Sequence, residues 1–432
     1  MQIHRPARNM QTSLRGIANK ARKTSRHRFR HLYSLLNREN LEWCFGQLRR
    51  SAAPGIDEVT VTDYEENLES NIDRLVERLK EKRYRTKLVR RKNIPKVKDE
   101  VRPLGIPVLE DKLLQMAVAK ILTAIYEADF LEFSKGYRPG RGPRKASKEL
   151  ADTLYSGSNH WVVEADIKGF FDNISHEWMM RMLAQRINDK ALLRLIMKWL
   201  KAGIMEEDGH VRHPITGTPQ GGVVSPVLSN IYLHYVLDLW FEKKVKPNCS
   251  GNPLIMRFAD DFVCAFHTRV DAERFYNVLP KRLGKFELTV AIDKTKILRF
   301  SRNGLKANGT FEFLGFVFRW VTRRTGRSGV ARFTSPSKLR KSVANFKDWV
   351  QKNRHQRTTP LMKQLRSKMR GYYNYYGVRG NFISLTKFTY QVMRILFKWL
   401  NRRSHRHSYT WQGFTNLLVQ SQIPTPRIVE GH

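Results

Sequence analysis

Cysteine, acidic residues and long apolar runs are all scarce in this chain of 432 residues. The three cysteines, Cys44, Cys249 and Cys264, are too scattered for a disulfide framework or a CxxC zinc site, which predicts a reducing, intracellular environment. No run of 18 apolar residues occurs, so we expect no transmembrane helix and no membrane partner. No internal repeat or long low-complexity linker separates parts of the chain, and we expect its domains to pack closely.

The shortage of acids leaves a large positive charge. Lys and Arg number 79 against 39 Asp and Glu, a net charge of +40. This exceeds what solubility requires, so we predict a polyanionic partner, with nucleic acid ahead of an anionic membrane surface. The first 30 residues hold nine Lys or Arg and no acid. They are either a basic arm that folds on RNA or an organellar transit peptide, and without an apolar segment they do not predict secretion.

Local patterns predict both helices and strands, an α+β protein. Residues 88–107 are rich in basic and β-branched residues with interspersed prolines, which predicts a hairpin, and a helix is expected over 113–125. Upstream, Thr62 and Glu65 predict a capping box ahead of an amphipathic helix over 68–79.

Further along, the short apolar segments 161–165 and 254–266 predict buried strands. Beyond Phe333 the pattern becomes helical. Residues 321–370 contain fifteen Lys or Arg and a single acid, Asp348, which predicts a separate helical domain that binds nucleic acid.

Three aspartates stand where an apolar strand should not carry them. Asp166 ends the first apolar segment, and Asp260 and Asp261 are adjacent inside the second. Neighbouring carboxylates between Phe258 and Phe262 repel each other and resist desolvation unless a cation neutralises them. A hairpin turn would present both to Mg²⁺, which prefers carboxylate oxygens and supports two-metal nucleotidyl transfer. The alternative is a solvent-exposed Asp-Asp turn without a ligand, against which the flanking apolar runs argue.

The motif "FADD" at 258–261 resembles the Tyr-Ala-Asp-Asp motif of reverse transcriptases, and "GTPQGGVVSPVLSNIYL" resembles the motif that precedes it. The similarity to reverse transcriptases encoded by group II introns, the maturases, continues through "APGID", "IPK", "RPLGIP", "GYRPGR", "KTKI" and "FEFLGF". The resemblance implies an RNA-directed DNA polymerase with a right-hand fold. Its expected regions are a basic N-terminal extension (1–50), fingers (51–160), palm (161–330) and an α-helical thumb, the maturase domain X (331–432).

The same resemblance implies roles for particular residues. Asp166, Asp260, Asp261 and the backbone carbonyl of Ile167 would hold two Mg²⁺ ions, with Mn²⁺ as a possible substitute. Lys294 would protonate the leaving pyrophosphate, although a solvated surface lysine is the competing interpretation. Four residues are implied to contact the nucleotide. Lys96 and Arg102 would clamp the triphosphate, and Gln220 would lie beneath the template base. Phe171 would exclude a ribose 2′-hydroxyl, although it could instead be a core residue. Residues implied to grip RNA are Arg370, Tyr372, Tyr373 and Tyr375, with part of the tyrosine cluster expected in the core.

The implied partners are group II intron RNA or another RNA template, a DNA primer or target, and deoxynucleoside triphosphates. Oligomeric state is open, and a bacterial cytoplasmic location with the nucleoid or a ribonucleoprotein is expected ahead of an organelle. No cysteine follows Cys264, so we expect no cysteine-bearing HNH endonuclease and no target nicking. Two alternatives stand beside the mobile-intron enzyme: a splicing cofactor whose polymerase has decayed, and a host-adopted enzyme of defence or DNA repair. The three intact aspartates argue against the first.

Overall fold

The computed structural model describes residues 7–95, 101–218, 221–302, 308–322, 326–403 and 408–431. The helices are α1 (Ala7–Lys23), α2 (Arg38–Phe45), α3 (Val61–Glu66), α4 (Leu68–Lys80), α5 (Leu109–Tyr126), α6 (Pro143–Ser156), α7 (His176–Leu183), α8 (Lys190–Leu200), α9 (Ser225–Leu233), α10 (Arg269–Gly284), α11 (Pro336–Asn353), α12 (Thr358–Tyr376), α13 (Phe382–Leu400) and α14 (Trp411–Gln420). The strands are β1 (Val89–Pro95), β2 (Val101–Ile106), β3 (Trp161–Ala165), β4 (Ile204–Met205), β5 (Val211–Arg212), β6 (Leu254–Phe258), β7 (Asp261–Phe266), β8 (Lys296–Arg299), β9 (Phe311–Phe313), β10 (Phe316–Thr322) and β11 (Ser328–Thr334). The expected α+β class is confirmed.

The chain folds into two compact units. Unit 1 contains Met1–Gly140, Ala165–Asn248 and Phe275–Lys294, and unit 2 contains Arg141–Glu164, Cys249–Arg274 and Thr295–His432. The chain therefore passes between the units five times, and two of these passages lie at the end of β3 and within α10. Each unit consists of segments that are distant in sequence. The division into fingers, palm and thumb stays a prediction.

The predicted basic hairpin is present in unit 1. Strand β1 pairs antiparallel with β2, from Arg90 opposite Ile106 to Pro95 opposite Val101. Strand β1 also runs parallel to β4, which pairs with β5, so the sheet order is β2-β1-β4-β5. The helix expected after the hairpin is α5, whose Leu113, Ile121 and Leu122 are fully buried and contribute to the core of this unit.

The capping box predicted at Thr62 and Glu65 is wrong, because both residues lie inside α3. The actual box is formed two residues earlier. The Thr60 hydroxyl accepts from the backbone N–H of Asp63, whose carboxylate accepts from the N–H of Thr60. Asp63 is short but performs the role that glutamate has in the usual pattern. The amphipathic segment that follows is a separate helix, α4, whose apolar side is buried as predicted.

The two predicted buried strand segments belong to one sheet in unit 2. The segment 254–266 is a hairpin of β6 and β7, and the segment 161–165 is β3, in a sheet of order β6-β7-β3-β8. One face of this sheet packs on α6 and on the separate sheet β9–β11. Residues of this core include Ala146, Leu150, Val162, Met256, Val263, Phe311, Phe316 and Phe318. The prediction of apolar, buried strands is confirmed.

The helical region expected beyond Phe333 is also present, as α11 to α14. Their apolar sides form one core in unit 2, with fully buried members that include Val350, Leu365, Met369, Tyr373, Val392, Leu396 and Leu400. Across the described ranges, no helix is both long and apolar enough to cross a membrane.

Candidate active site

A tight turn carries the adjacent aspartates. Phe258 pairs with Asp261 across the β6–β7 hairpin, which leaves Ala259 and Asp260 as a two-residue turn. Ala259 has φ 59°, a conformation that costs a non-glycine residue about 1–3 kcal/mol and persists only where its surroundings fix it. Both carboxylates are half-buried. The predicted hairpin is therefore confirmed, and it presents two hard oxygen donors beside each other.

Asp166, the third predicted carboxylate, follows directly after β3 and lies in unit 1. Its Oδ2 accepts a hydrogen bond from Lys294 Nζ at 3.1 Å, and its carbonyl accepts from the N–H of Ala291 at 2.9 Å. The Asp166 side chain is 33% exposed and that of Lys294 is 64% exposed. The lysine is thus not merely solvated, because it pairs with a predicted metal ligand.

The donor set suits divalent ions such as Mg²⁺ or Mn²⁺, which prefer carboxylate oxygens. Within the described ranges, no three His, Cys, Asp or Glu side chains converge closely enough to hold a metal on their own. Asp260 and Asp261 belong to unit 2 and Asp166 to unit 1. A metal centre shared by all three, with the carbonyl of Ile167, stays a prediction.

Two neighbouring phenylalanines in unit 1 have different surroundings. Both lie in the 3₁₀ turn Phe170–Asp172. Phe170 is 2% exposed and packs on Tyr232, whereas Phe171 is 8% exposed and meets Tyr137 edge-on, with ring centroids 6.5 Å apart. Phe170 is therefore core, and Phe171 lies at the edge of it, beside a ring that is 48% exposed. This arrangement is compatible with the predicted role of Phe171 in sugar selection.

Tyr137 was missed by the sequence reasoning, although it stands in the quoted motif "GYRPGR". Its backbone is left-handed, with φ 56°. The next residue, Arg138, is buried and holds the loop through Glu127 at 2.9 Å and through the carbonyls of Leu131 and Ser134. The motif thus positions an exposed aromatic ring against Phe171.

The β1–β2 hairpin lies over a polar cavity of about 440 Å³ in unit 1. Arg91 and Lys92 of β1 pair with Glu206 at 3.2 Å and Glu207 at 3.4 Å, which hold the hairpin on β4. The cavity lining includes Arg91, Asn93, Pro103, Asp172, Arg212 and Thr218. The two glutamates were not predicted, since β4 and β5 are two residues each and leave no periodic signal. Arg102 lies in β2 opposite Ile94, while its side chain and the whole of Lys96 are outside the described residues.

The loop that follows Gln220, itself outside the described residues, depends on a glycine. Gly221 has φ 116°, and a Cβ there would lie 2.5 Å from the carbonyl oxygen of Gly105 in β2. Downstream, the N–H of Val223 donates to Gln115 Oε1 at 2.8 Å. The backbone at Gly221 therefore approaches β2 more closely than any residue with a Cβ would allow.

We expect Gly221→Ala to lower the melting temperature by several degrees, since strained backbone and overlap together cost about 2–3 kcal/mol. Gly371 is the matched control: it is exposed within α12, and apart from its chain neighbours and the nearby backbone of the helix, no described atom lies within 4 Å of the position of its Cβ. Gly371→Ala should stabilise the protein by about 0.5–1 kcal/mol, because alanine is the better helix former. Thermal melting followed by circular dichroism measures both. Equal melting temperatures for the two variants would contradict the tight contact.

The predicted RNA-binding tyrosines lie mostly inside the helical core of unit 2. Tyr373 is 0% exposed, and its hydroxyl is 2.7 Å from that of Thr389. Tyr372 stacks on Phe388 at 3.5 Å between ring centroids. The hydroxyl of Tyr375 donates to the carbonyl of Leu314, and burial raises the pKa of Tyr375, with a further contribution from Asp261. The reason is geometric: residues 372, 373, 375 and 376 share one side of a helix, and that side faces the core.

Arg370, the fourth predicted RNA contact, is exposed. A more accessible aromatic surface lies on the outer face of α13, where Phe382, Ile383 and Tyr390 are 52%, 64% and 61% exposed. The guanidinium of Arg394 lies 5.5 Å from the ring centroid of Tyr390. Helix α13 contains no acidic residue. The sequence reasoning missed this exposed side.

Comparison with known proteins gives a consistent result. The sequence profile described as "Reverse transcriptase (RNA-dependent DNA polymerase)" matches residues 94–318. "Protein YkfC" of Escherichia coli is 32% identical over an alignment of 312 positions that covers 65% of this chain and 79% of that protein. "Group II intron-encoded protein LtrA" of Lactococcus lactis is 41% identical over 179 residues, or 41% of this chain. An "Uncharacterized 91 kDa protein in cob intron" of Schizosaccharomyces pombe is 40% identical over 171 residues.

The length of the match differs among these relatives. The alignment covers 29% of the Lactococcus lactis protein and 21% of the Schizosaccharomyces pombe protein. The matched segments are thus less than a third of the length of these two relatives.

Proposed function

This chain belongs to the reverse transcriptase family, among the members encoded by group II introns, and from that premise we propose that it copies RNA into DNA. Its RNA is intron RNA, which it also helps to splice, and the DNA copy serves intron mobility. The observation that carries this proposal is the β6–β7 turn, which holds two half-buried carboxylates side by side in a strongly basic protein.

The proposed architecture is a right-handed polymerase. Residues 51–160 are the fingers, 161–330 the palm and 331–432 the thumb, with α11 to α14 as the maturase domain X, and 1–50 as the N-terminal extension. The hairpin of β1 and β2, the sheet β6-β7-β3-β8 and the α11–α14 core support this assignment because each falls within one of these regions.

The proposed metal ligands are Asp166, Asp260 and Asp261, with the backbone carbonyl of Ile167. In the sheet of unit 2, β3, which leads into Asp166, is the neighbour of β7, which begins at Asp261. When bound, two divalent ions, Mg²⁺ or Mn²⁺, supply Lewis-acid activation and neutralise phosphate charge. Before they bind, Lys294 neutralises Asp166 through the 3.1 Å contact.

The other proposed roles belong to side chains that meet the nucleotide. Lys96 and Arg102 clamp the triphosphate by charge-assisted hydrogen bonds, Gln220 supports the template base, and Phe171 excludes the ribose 2′-hydroxyl. Lys294 carries a proton on Nζ and delivers it to the departing pyrophosphate. Its pairing with Asp166 supports this role, since it keeps the ammonium beside a proposed metal ligand.

For RNA binding we propose the outer face of α13 together with Arg370. Exposed rings can stack on unpaired bases while cations meet phosphates, and stacking contributes about 1–3 kcal/mol per base. We expect the double variant Tyr390→Ala/Arg394→Ala to weaken RNA affinity about tenfold or more and to reduce the salt dependence by about one ion. Filter binding at a series of salt concentrations measures both.

A second arginine–tyrosine stack in unit 2 provides the control. Arg302 lies 5.1 Å from the ring centroid of Tyr155, so Tyr155→Ala/Arg302→Ala removes the same groups elsewhere. Its RNA affinity should remain within about twofold to threefold of the wild type. Equal weakening in the two double variants would mean that general charge, and no particular surface, determines binding.

The proposed function is tested by primer extension. Purified protein is given an RNA template, an annealed DNA primer, deoxynucleoside triphosphates and Mg²⁺ or Mn²⁺. We expect a full-length DNA product that requires the metal ion. Splicing of a group II intron RNA is followed in a parallel reaction. Splicing without DNA synthesis would instead support the splicing-cofactor function, and DNA synthesis without any effect on intron RNA would support a host-adopted enzyme.

A further inference from the structure

A wholly buried guanidinium precedes the turn that carries the adjacent aspartates. Arg257 is 0% exposed, and its Nη1 donates to the carbonyl oxygen of Ala259 at 2.9 Å. Arginine is rarely enclosed to this extent unless it is paired. The hydrogen bond links the last part of β6 to the strained residue of the turn.

Packing alone does not explain an arginine at position 257 of the sheet. Met256 and Phe258 pack into the core formed with β9–β11, whereas Arg257 points to the opposite face of β6. Its cross-strand partner there is Phe262, which is also 0% exposed. Enclosing a charge on such a face costs several kcal/mol, and an apolar side chain of similar volume would often be neutral or stabilising. The arginine is therefore retained for something other than filling space.

The turn supplies one reason. A non-glycine residue at φ 59° persists only where neighbouring groups fix it. The Ala259 carbonyl belongs to the peptide that joins Ala259 to Asp260, so holding this oxygen sets the direction in which Asp260 leaves the turn. A positive charge close by also reduces the repulsion between two adjacent carboxylates.

We propose that Arg257 is a positioning residue for the polymerase reaction, one that holds the Ala259–Asp260 peptide so that both carboxylates are presented together. This inference rests on the proposed function. It concerns the turn, however, and can therefore be tested by metal binding as well as by turnover.

The test compares Arg257→Met, Arg257→Lys and Arg332→Met. Arg332 is the matched control, because it is another buried arginine of unit 2 and bonds Glu430 and Ser147, away from the turn. Single-nucleotide incorporation gives kcat and the KM for the deoxynucleotide, and circular dichroism gives the folded fraction. We expect kcat of Arg257→Met to fall about 30- to 100-fold with KM within about twofold, as for loss of an orienting donor. Arg257→Lys should recover about tenfold of this loss, because an ammonium can still donate to the carbonyl.

Mn²⁺ binding, measured by electron paramagnetic resonance, tests whether the carboxylates are positioned to bind a metal ion, independently of turnover. Loss of a nearby positive charge would by itself tighten cation binding, whereas loss of position weakens it. We therefore expect severalfold weaker Mn²⁺ binding in Arg257→Met and unchanged binding in Arg332→Met. Unchanged or tighter binding in Arg257→Met, or equal kcat losses in Arg257→Met and Arg332→Met, would overturn the proposal. A wild-type protein that binds Mn²⁺ but incorporates no nucleotide would instead overturn the proposed function.

Discussion

Asp260→Asn is expected to reduce primer extension by about three orders of magnitude or more while RNA affinity stays within about threefold. Asparagine keeps the shape of the side chain but removes the anionic oxygens that a divalent ion requires. RNA affinity depends on phosphate contacts from the many basic side chains, and removing one negative charge does not reduce these contacts. Steady-state incorporation and filter binding on the same preparation measure the two quantities.

The matched control for this prediction is Asp152→Asn. Asp152 lies on α6 in unit 2, where it is 64% exposed and pairs with Lys148 one helical turn away. An exposed pair of this kind contributes at most about 0.5 kcal/mol to stability, so activity should be unchanged. Asp260→Ala should behave like Asp260→Asn. If Asp260→Asn lost RNA affinity and activity to the same extent, the separation between the binding surface and the reacting carboxylates would be contradicted.

The parts of the fold that were predictable share a local signal. Residue types and their periodicity within a short segment predict the hairpin at 88–107, the strands at 161–165 and 254–266, and the helices beyond Phe333. The turn at Asp260 was predictable for the same reason, since two adjacent acids interrupt an otherwise apolar segment. Such features depend on backbone preference and on the side of an element that must be buried.

Features that depend on tertiary partners were not predictable. The tyrosines of α12 lie among cations in the sequence, which suggests RNA binding, and only part of the cluster was expected in the core. In the structure the ring side of that helix packs against Phe388 and Phe316. The exposed side of α13 shows no corresponding cluster in sequence, because Ile383, Tyr390 and Arg394 are seven and four residues apart. Likewise, nothing in the sequence indicates that the Arg257 side chain donates a hydrogen bond to the backbone carbonyl of Ala259. Which side of an element faces solvent is decided by what packs on it.

The pairing of Lys294 with Asp166 changes how both residues are understood. From sequence, Lys294 could be a surface lysine, and its 64% exposure agrees with that description of its side chain. Its ammonium nevertheless ends 3.1 Å from a proposed metal ligand. Partial exposure and a specific partner both suit the proposed role of Lys294, which requires proton exchange with water and a fixed position beside the phosphates.

Phe171→Val is expected to reduce the preference for deoxynucleotides over ribonucleotides by about 10- to 100-fold, which corresponds to about 1.4–2.7 kcal/mol of discrimination. The physical reason is space: the smaller side chain retreats from the edge beside Tyr137 and leaves room for a 2′-hydroxyl. The ratio of kcat/KM for the two nucleotide types measures this directly. Phe171→Ala should show a larger effect, although the cavity it leaves costs about 3–5 kcal/mol of stability.

Phe170→Val separates sugar selection from loss of packing. Phe170 is the adjacent residue of the same 3₁₀ turn, but it is 2% exposed and packs on Tyr232. We expect Phe170→Val to destabilise the protein at least as much as Phe171→Val, since the more deeply buried ring loses more contacts. Its sugar preference should remain that of the wild type. If both variants relaxed the preference equally, general loosening of the turn would explain the effect, and if neither did, Phe171 would be core and another residue would exclude the 2′-hydroxyl.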